Sequence, residues 1–146
     1  MLVGNYPNSL DAKGRCMIPA RFRREFQDKC MLVKGFDECL YLLTEEGFDA
    51  YVEKHIDNRP QEDKRAYDLQ FFFFSNSKEL DIDSQGRISL PKEFIEFAGI
   101  KKEMVNVGFR NRVEIWSKER YDKKSGSDEL DPKKLLGNMM DYVPKP

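Results

Sequence analysis

The sequence predicts a mainly β fold with short helices (α+β), in which two similar halves close into one pseudo-twofold β-barrel. Three observations predict it. Asp11-Ala-Lys-Gly-Arg-Cys-Met-Ile-Pro-Ala-Arg-Phe22 returns as Asp83-Ser-Gln-Gly-Arg-Ile-Ser-Leu-Pro-Lys-Glu-Phe94. At an offset of 72 residues (83 − 11), Asp, Gly, Arg, Pro and Phe coincide and Ile18 falls on Leu90, the mark of an internal duplication. The segments around each copy are short apolar runs punctuated by turn residues, a strand pattern. Finally, a half of about 70 residues has exposed strand edges and too little core to stand alone. Two halves closing on each other remove both difficulties.

Taken in order, Asn5 to Asn8 (Asn-Tyr-Pro-Asn) reads as a turn before the first copy. Asp11-Ala12-Lys13-Gly14 reads as a tight hairpin connection, and Arg15 to Ile18 as a strand. Pro19 suits the start of a short helix, on which Phe22 and Phe26 share a face. Met31-Leu32-Val33 and Leu40 to Leu43 are strands joined by a Gly35-Phe36-Asp37-Glu38 loop. Thr44 then caps a helix with Phe48, Tyr51, Val52 and Ile56 on its apolar side. Asn58-Arg59-Pro60 is expected to start a third helix, along which Ala66, Leu69 and Phe73 step. The run Phe71 to Phe74 fits a buried helix end or a subunit interface better than base stacking, because no basic residue interleaves it.

The second half repeats this order. After the second copy come a helix ending at Gly99, a strand at Met104 to Val107, Gly108-Phe109 in place of Gly35-Phe36, a strand at Val113 to Trp116, and Ser117 in the place of the cap Thr44. The tail is polar from Lys123, with a short helix opened by Asp131-Pro132 and disorder expected at Pro144-Lys145-Pro146. The resulting organisation is a first repeat over 5–57, a connecting helix over 58–76, a second repeat over 77–124 and a tail over 125–146.

Composition narrows the function. The 146 residues are 40% hydrophobic and 35% charged, with 25 basic and 26 acidic residues and a net charge of −1. A protein that coats nucleic acid indiscriminately is usually basic, so any nucleic-acid site here must be a local patch. Cys16, Cys30 and Cys39 show no CxxC spacing and His55 is the single histidine, so no metal and no cofactor are expected, and the thiols read as small buried hydrophobes. Nor do a nucleophile elbow, a P-loop or a paired ligand motif occur, so no catalytic residue is assigned. Met1-Leu2-Val3-Gly4 runs straight into polar residues and no apolar run reaches membrane-spanning length, which points to a reducing cytoplasm.

Two D-x-x-G-R hairpins, each followed by an apolar pair, a Pro and a short helix, resemble the tandem swapped-hairpin modules of the MraZ family, relatives of the AbrB and SpoVT group of DNA-binding proteins. The resemblance runs from the Met-Leu-x-Gly start to Trp116-Ser117. It implies a barrel formed by both repeats, and a homo-oligomeric, octamer-like ring. It further implies a nucleoid-associated transcriptional regulator that binds double-stranded DNA at tandem direct repeats, upstream of the bacterial cell-division and cell-wall genes.

By the same carry-over, Arg15 and Arg87 take the family's motif-arginine positions, and Lys13 and Gln85 the variable place before Gly. A guanidinium can bond guanine O6 and N7 or clamp a phosphate, Lys13 suits a phosphate, and Gln85 can read a base edge. Chemistry alone leaves a second reading open, in which Asp11–Arg15 and Asp83–Arg87 are ion pairs that hold each turn. For the aspartates that reading is the better one; for the arginines the resemblance favours DNA. Gly14 and Gly86 serve the turns. Arg21, Arg23 and Arg24 are further DNA candidates or a solvated helix face.

From Leu10 to Gly35 seven basic residues oppose three acidic ones, whereas Ile82 to Gly108 holds four of each. The first repeat is therefore expected to carry most of the phosphate attraction. Competing readings are a protein-interaction or antitoxin-type swapped-hairpin module, and a simple homodimeric regulator.

Overall fold

The computed structural model describes residues 1–60 and 62–140. The elements are β1 (Leu2–Ser9), β2 (Arg15–Met17), α1 (Ala20–Arg23), β3 (Lys29–Lys34), β4 (Leu40–Leu43), α2 (Glu45–His55) and α3 (Lys64–Ser75). There follow β5 (Ser77–Asp81), β6 (Arg87–Ser89), α4 (Lys92–Ala98), β7 (Glu103–Arg110), β8 (Val113–Ser117), α5 (Lys118–Ser125), a 3-10 turn at Asp128–Leu130, and α6 (Pro132–Asn138).

Six strands form an antiparallel sheet in the order β1-β7-β8-β4-β3-β5, and β2 pairs with β6 as a separate two-stranded ribbon. The exchange between repeats is visible in that order. β1 pairs with β7, β5 with β3, β4 with β8 and β2 with β6, so four of the six strand pairings join one repeat to the other. Tyr41 faces Glu114 at the centre of the sheet and Cys16 faces Ile88 at the centre of the ribbon, which places a pseudo-twofold axis through both.

Period-two alternation puts successive side chains on opposite faces. Leu32, Leu40, Leu42, Val113 and Ile115 meet the inward residues of the ribbon (Cys16, Ile18, Ile88, Leu90) together with Phe22 and Phe94. Val33, Tyr41, Leu43 and Trp116 point the other way, where α2 and α3 cover them with Val52, Ile56 and Phe73. This double coverage explains why β4 is apolar throughout rather than alternating. Phe22 and Phe94, equivalent across the repeat, are 2% and 1% exposed; truncating either to Ala should cost about 3–5 kcal/mol.

Thr44 and Ser117 act as caps, accepting from the backbone N–H of Gly47 and Arg120, and Gly99 closes α4 in the left-handed region. Asp131-Pro132 opens α6 as expected.

Four expectations change. First, the sheet does not close into a barrel. β2 and β6 are three residues long, stop two residues before Pro19 and Pro91, and spend their ladder groups on each other, so β1 and β5 remain as the two edges of an open sheet. Second, Asn5 to Asn8 lies inside β1. Pro7 is tolerated there because β1 is an edge strand, which needs hydrogen bonds on one side only. Third, the helix expected from Asn58-Arg59-Pro60 begins at Lys64, where Asp63 accepts from the Arg65 N–H and provides the cap. Fourth, the Phe quartet divides: Phe73 is buried under α2, whereas Phe71, Phe72 and Phe74 are exposed. The disorder expected at Pro144-Lys145-Pro146 lies outside the described residues.

No helix among the described residues is long and apolar enough to cross a membrane. All three cysteines are buried and free, and burial pushes the Cys16 and Cys30 thiols up to about 12 and the Cys39 thiol higher still.

Candidate nucleic-acid interface

The two motif turns are built in the same way. Asp11 N–H donates to the Arg15 carbonyl (2.8 Å) and Gly14 N–H to the Asp11 carbonyl (3.0 Å). Asp11 Oδ1 accepts from the backbone N–H of Lys13 (2.8 Å) and of Arg15 (2.9 Å), while Oδ2 accepts from Arg15 Nε (2.8 Å). In the second turn Asp83 Oδ1 accepts from Gln85 and Arg87 N–H (2.9 and 2.8 Å), and Oδ2 from Arg87 Nε (2.8 Å). Gly14 and Gly86 have φ of 75° and 82°, which only glycine adopts without strain. The Arg15 backbone N–H is the first reason the Asp11 carboxyl sits below the ordinary aspartate value, with its guanidinium adding to the effect; Arg87 does the same for Asp83.

Each aspartate thus accepts the hydrogen bonds that close its turn, and its arginine is paired without being used up. A guanidinium carries five N–H donors. Only Nε is engaged here, and the terminal nitrogens of Arg15 and Arg87 make no hydrogen bond among the described residues. The two side chains are 28% and 27% exposed.

The ribbon decides where they point. Cys16 and Ile88 face the core, so the alternate positions Arg15, Met17, Arg87 and Ser89 form its outer face. Arg15 lies opposite Ser89 and Arg87 opposite Met17, which puts the arginines in a diagonal relation about 7–8 Å apart. Met17, nearly half exposed, and Ser89 are the outer-face residues that the repeated motif does not flag. Counting two residues on from Arg15 and from Arg87 would have found them. Each turn is also fastened to the other repeat: Leu90 N–H donates to the Gly14 carbonyl (3.0 Å) and Ile18 N–H to the Gly86 carbonyl (2.9 Å).

Lys13 and Gln85 are exposed at opposite ends of the ribbon, and Arg21 and Arg24 are exposed on and just beyond α1. Arg23 is different. Its Nη2 donates to the Ser84 carbonyl of the second turn (3.1 Å), and its guanidinium lies over Gly86. The charge excess of the first repeat is therefore not all spent on the first turn, because the exchange of strands carries α1 to the second.

The model of the MraZ protein family, described as antitoxin-like, matches residues 1–70 and 73–134. The chain belongs to the MraZ family. Relatives called "Transcriptional regulator MraZ" include one from Desulforamulus reducens, 39% identical over 145 residues, or 98% of this chain and 100% of that protein. One from Halothermothrix orenii is 37% identical over 141 residues (97% and 98%), and one from Clostridium acetobutylicum is 40% identical over 121 residues (83% and 84%). The two matched stretches meet inside α3 beside the exposed phenylalanines. Membership in the MraZ family thus extends over both repeats and into the tail.

Proposed function

We propose that this protein is a DNA-binding transcriptional regulator whose β2–β6 ribbon enters the major groove. Copies joined in a ring, octamer-like in size, engage tandem direct repeats upstream of the cell-division and cell-wall genes, in the cytoplasm and at the nucleoid. The working units are the repeats 5–57 and 77–124, with 58–76 as their link and 125–146 as an accessory tail.

The observation that carries this reading is the outer face of the ribbon, where Arg15 and Arg87 are each held by one nitrogen with the others free among the described residues. A major groove admits a two-stranded ribbon, and a guanidinium so held can bond guanine O6 and N7 or a phosphate. One subunit of net charge −1 should bind weakly, and several linked subunits gain avidity when the DNA repeats match their spacing. The uncovered face of α3, with Tyr67 59%, Phe71 64% and Phe74 47% exposed at helical spacing, supports contact with a second copy.

A mobility-shift titration against the DNA upstream of the protein's own gene, with and without the direct repeats, tests the reading. Arg15→Ala and Arg87→Ala should each weaken binding roughly 5- to 150-fold if they read a base, or lower the salt slope by about one if they hold a phosphate. Intact binding by the double variant would show that the site lies elsewhere. The antitoxin-like description of the family keeps one rival in play, a hairpin module that grips a protein. That complex would lack the steep, linear log–log salt dependence of counterion release.

A further inference from the structure

The two turns differ in sequence in a way that the fold compensates. Around the first, Lys13 and Arg15 oppose Asp11; around the second, Arg87 alone opposes Asp83, because Gln85 stands in the place equivalent to Lys13. At the same offset of 72, Arg23 corresponds to Ile95. Ile95 packs beside Gly14, its Cδ1 3.8 Å from where a Cβ on that glycine would stand. The matching place beside Gly86 is filled by the Arg23 guanidinium, whose Cζ, Nη1 and Nε lie 2.5–2.7 Å from the corresponding Cβ position. The cation missing from position 85 is thus supplied from position 23.

We infer that Arg23 of the first repeat is a DNA-phosphate contact of the second motif turn, so that each end of the ribbon presents two cations to the backbone. Arg23 keeps one Nη2 hydrogen on the Ser84 carbonyl, and its side chain is only partly covered. Four of its five donors are left for a ligand. The bond to Ser84 fixes the guanidinium to the same turn as Arg87, as Nε fixes Arg15 to Asp11. A pre-set cation loses less freedom on binding than a free lysine. The role would then be shared between the ends of the ribbon, and the second copy would be a working half-site rather than only a structural partner of the first.

This inference rests on the DNA reading above, and the test keeps the two apart. Arg23→Ile installs the residue already accommodated at the equivalent place, removing the charge and leaving an apolar filler. Binding to one direct-repeat duplex is measured between 50 and 200 mM salt for wild type, R23I and the double variants R23I/Q85K and R15A/R87A. Expected for R23I is a melting temperature close to wild type and a salt slope shallower by about 0.9 for each engaged subunit. For one subunit that removes about 3- to 4-fold of the affinity wild type loses across this range. R23I/Q85K should recover the slope, since its second substitution places a lysine at the counterpart of Lys13. An unchanged slope in R23I, or no recovery in R23I/Q85K, overturns the inference. If R23I melts well below wild type, Arg23→Met, which keeps the aliphatic stem, is read by the same slope. Should R15A and R87A together leave binding intact, the DNA site itself is misplaced, a different failure from that of Arg23.

Discussion

The carboxylates of Asp11 and Asp83 each accept three hydrogen bonds within five residues, two from backbone N–H groups and one from a guanidinium. Hydrogen bonds to the charged form hold both carboxyls below the ordinary value of 3.8. A carboxyl lowered on folding stabilises the folded protein fully above its unfolded value, and that contribution is lost as the pH falls through the folded value. Melting temperature should therefore drop below about pH 4, and the double variant D11N/D83N should melt lower at pH 7 but show a shallower acid limb. A wild-type acid limb identical to that of D11N/D83N would remove these two residues from the account. Arg15→Lys is not conservative here. An ammonium carries no second nitrogen to leave free once it pairs with Asp11, so R15K should behave in DNA titrations more like R15A than like wild type.

At the scale of elements, caps and faces separate stability from assembly. Thr44 Oγ1 accepts from the Gly47 N–H at 2.9 Å at the start of α2, which packs on the face of the sheet opposite the ribbon. Thr44→Ala should cost about 1 kcal/mol in denaturant unfolding and leave the salt dependence of DNA binding unchanged. The outer face of α3 is the converse case. Phe71 and Phe74 are exposed while Phe73, between them, stacks on Phe48 and Tyr51. Changing Phe71, 64% exposed, to Ser should leave the single chain close to wild-type stability and reduce the mass measured in solution. Retention of the wild-type mass would remove this face as a contact between copies. Leu135 and Leu136 of α6, and Met139 just beyond it, are exposed and belong to neither core.

Over the whole molecule, cohesion comes from exchange. Because most strand pairings cross between repeats, neither repeat holds a complete sheet by itself. The segment Asp57 to Pro60, exposed between α2 and α3, is the natural place to cut the chain. After limited proteolysis there, the two fragments should co-elute and melt together in one transition, and each alone should lack a cooperative transition. Separation of the fragments in native buffer would contradict the exchange.

What was legible in the sequence was local. Asp11-x-x-Gly14-Arg15 and Asp83-x-x-Gly86-Arg87 could be read because a turn is made by a carboxylate and a glycine within five residues. Thr44, Ser117, Gly99 and Asp131-Pro132 could be read as helix ends for the same reason. The duplication added that equivalent residues do equivalent work. Asn5 to Asn8 misled because Pro and Asn mark turns on average, whereas an edge strand with one free side accommodates them. Pro60 misled because the cap that starts α3 is Asp63, a few residues on.

Two copies of one turn, the helix caps and the apolar alternation are written in the chain itself, because each is set by interactions over a few residues. The choice of strand partners, the open sheet and the service of Arg23 to the turn of the other repeat emerge on folding alone. Those outcomes depend on contacts between groups 44 to 108 residues apart (Val33 with Ser77, Leu2 with Arg110), where backbone hydrogen bonding is indifferent to sequence and the packing of both cores selects the partner.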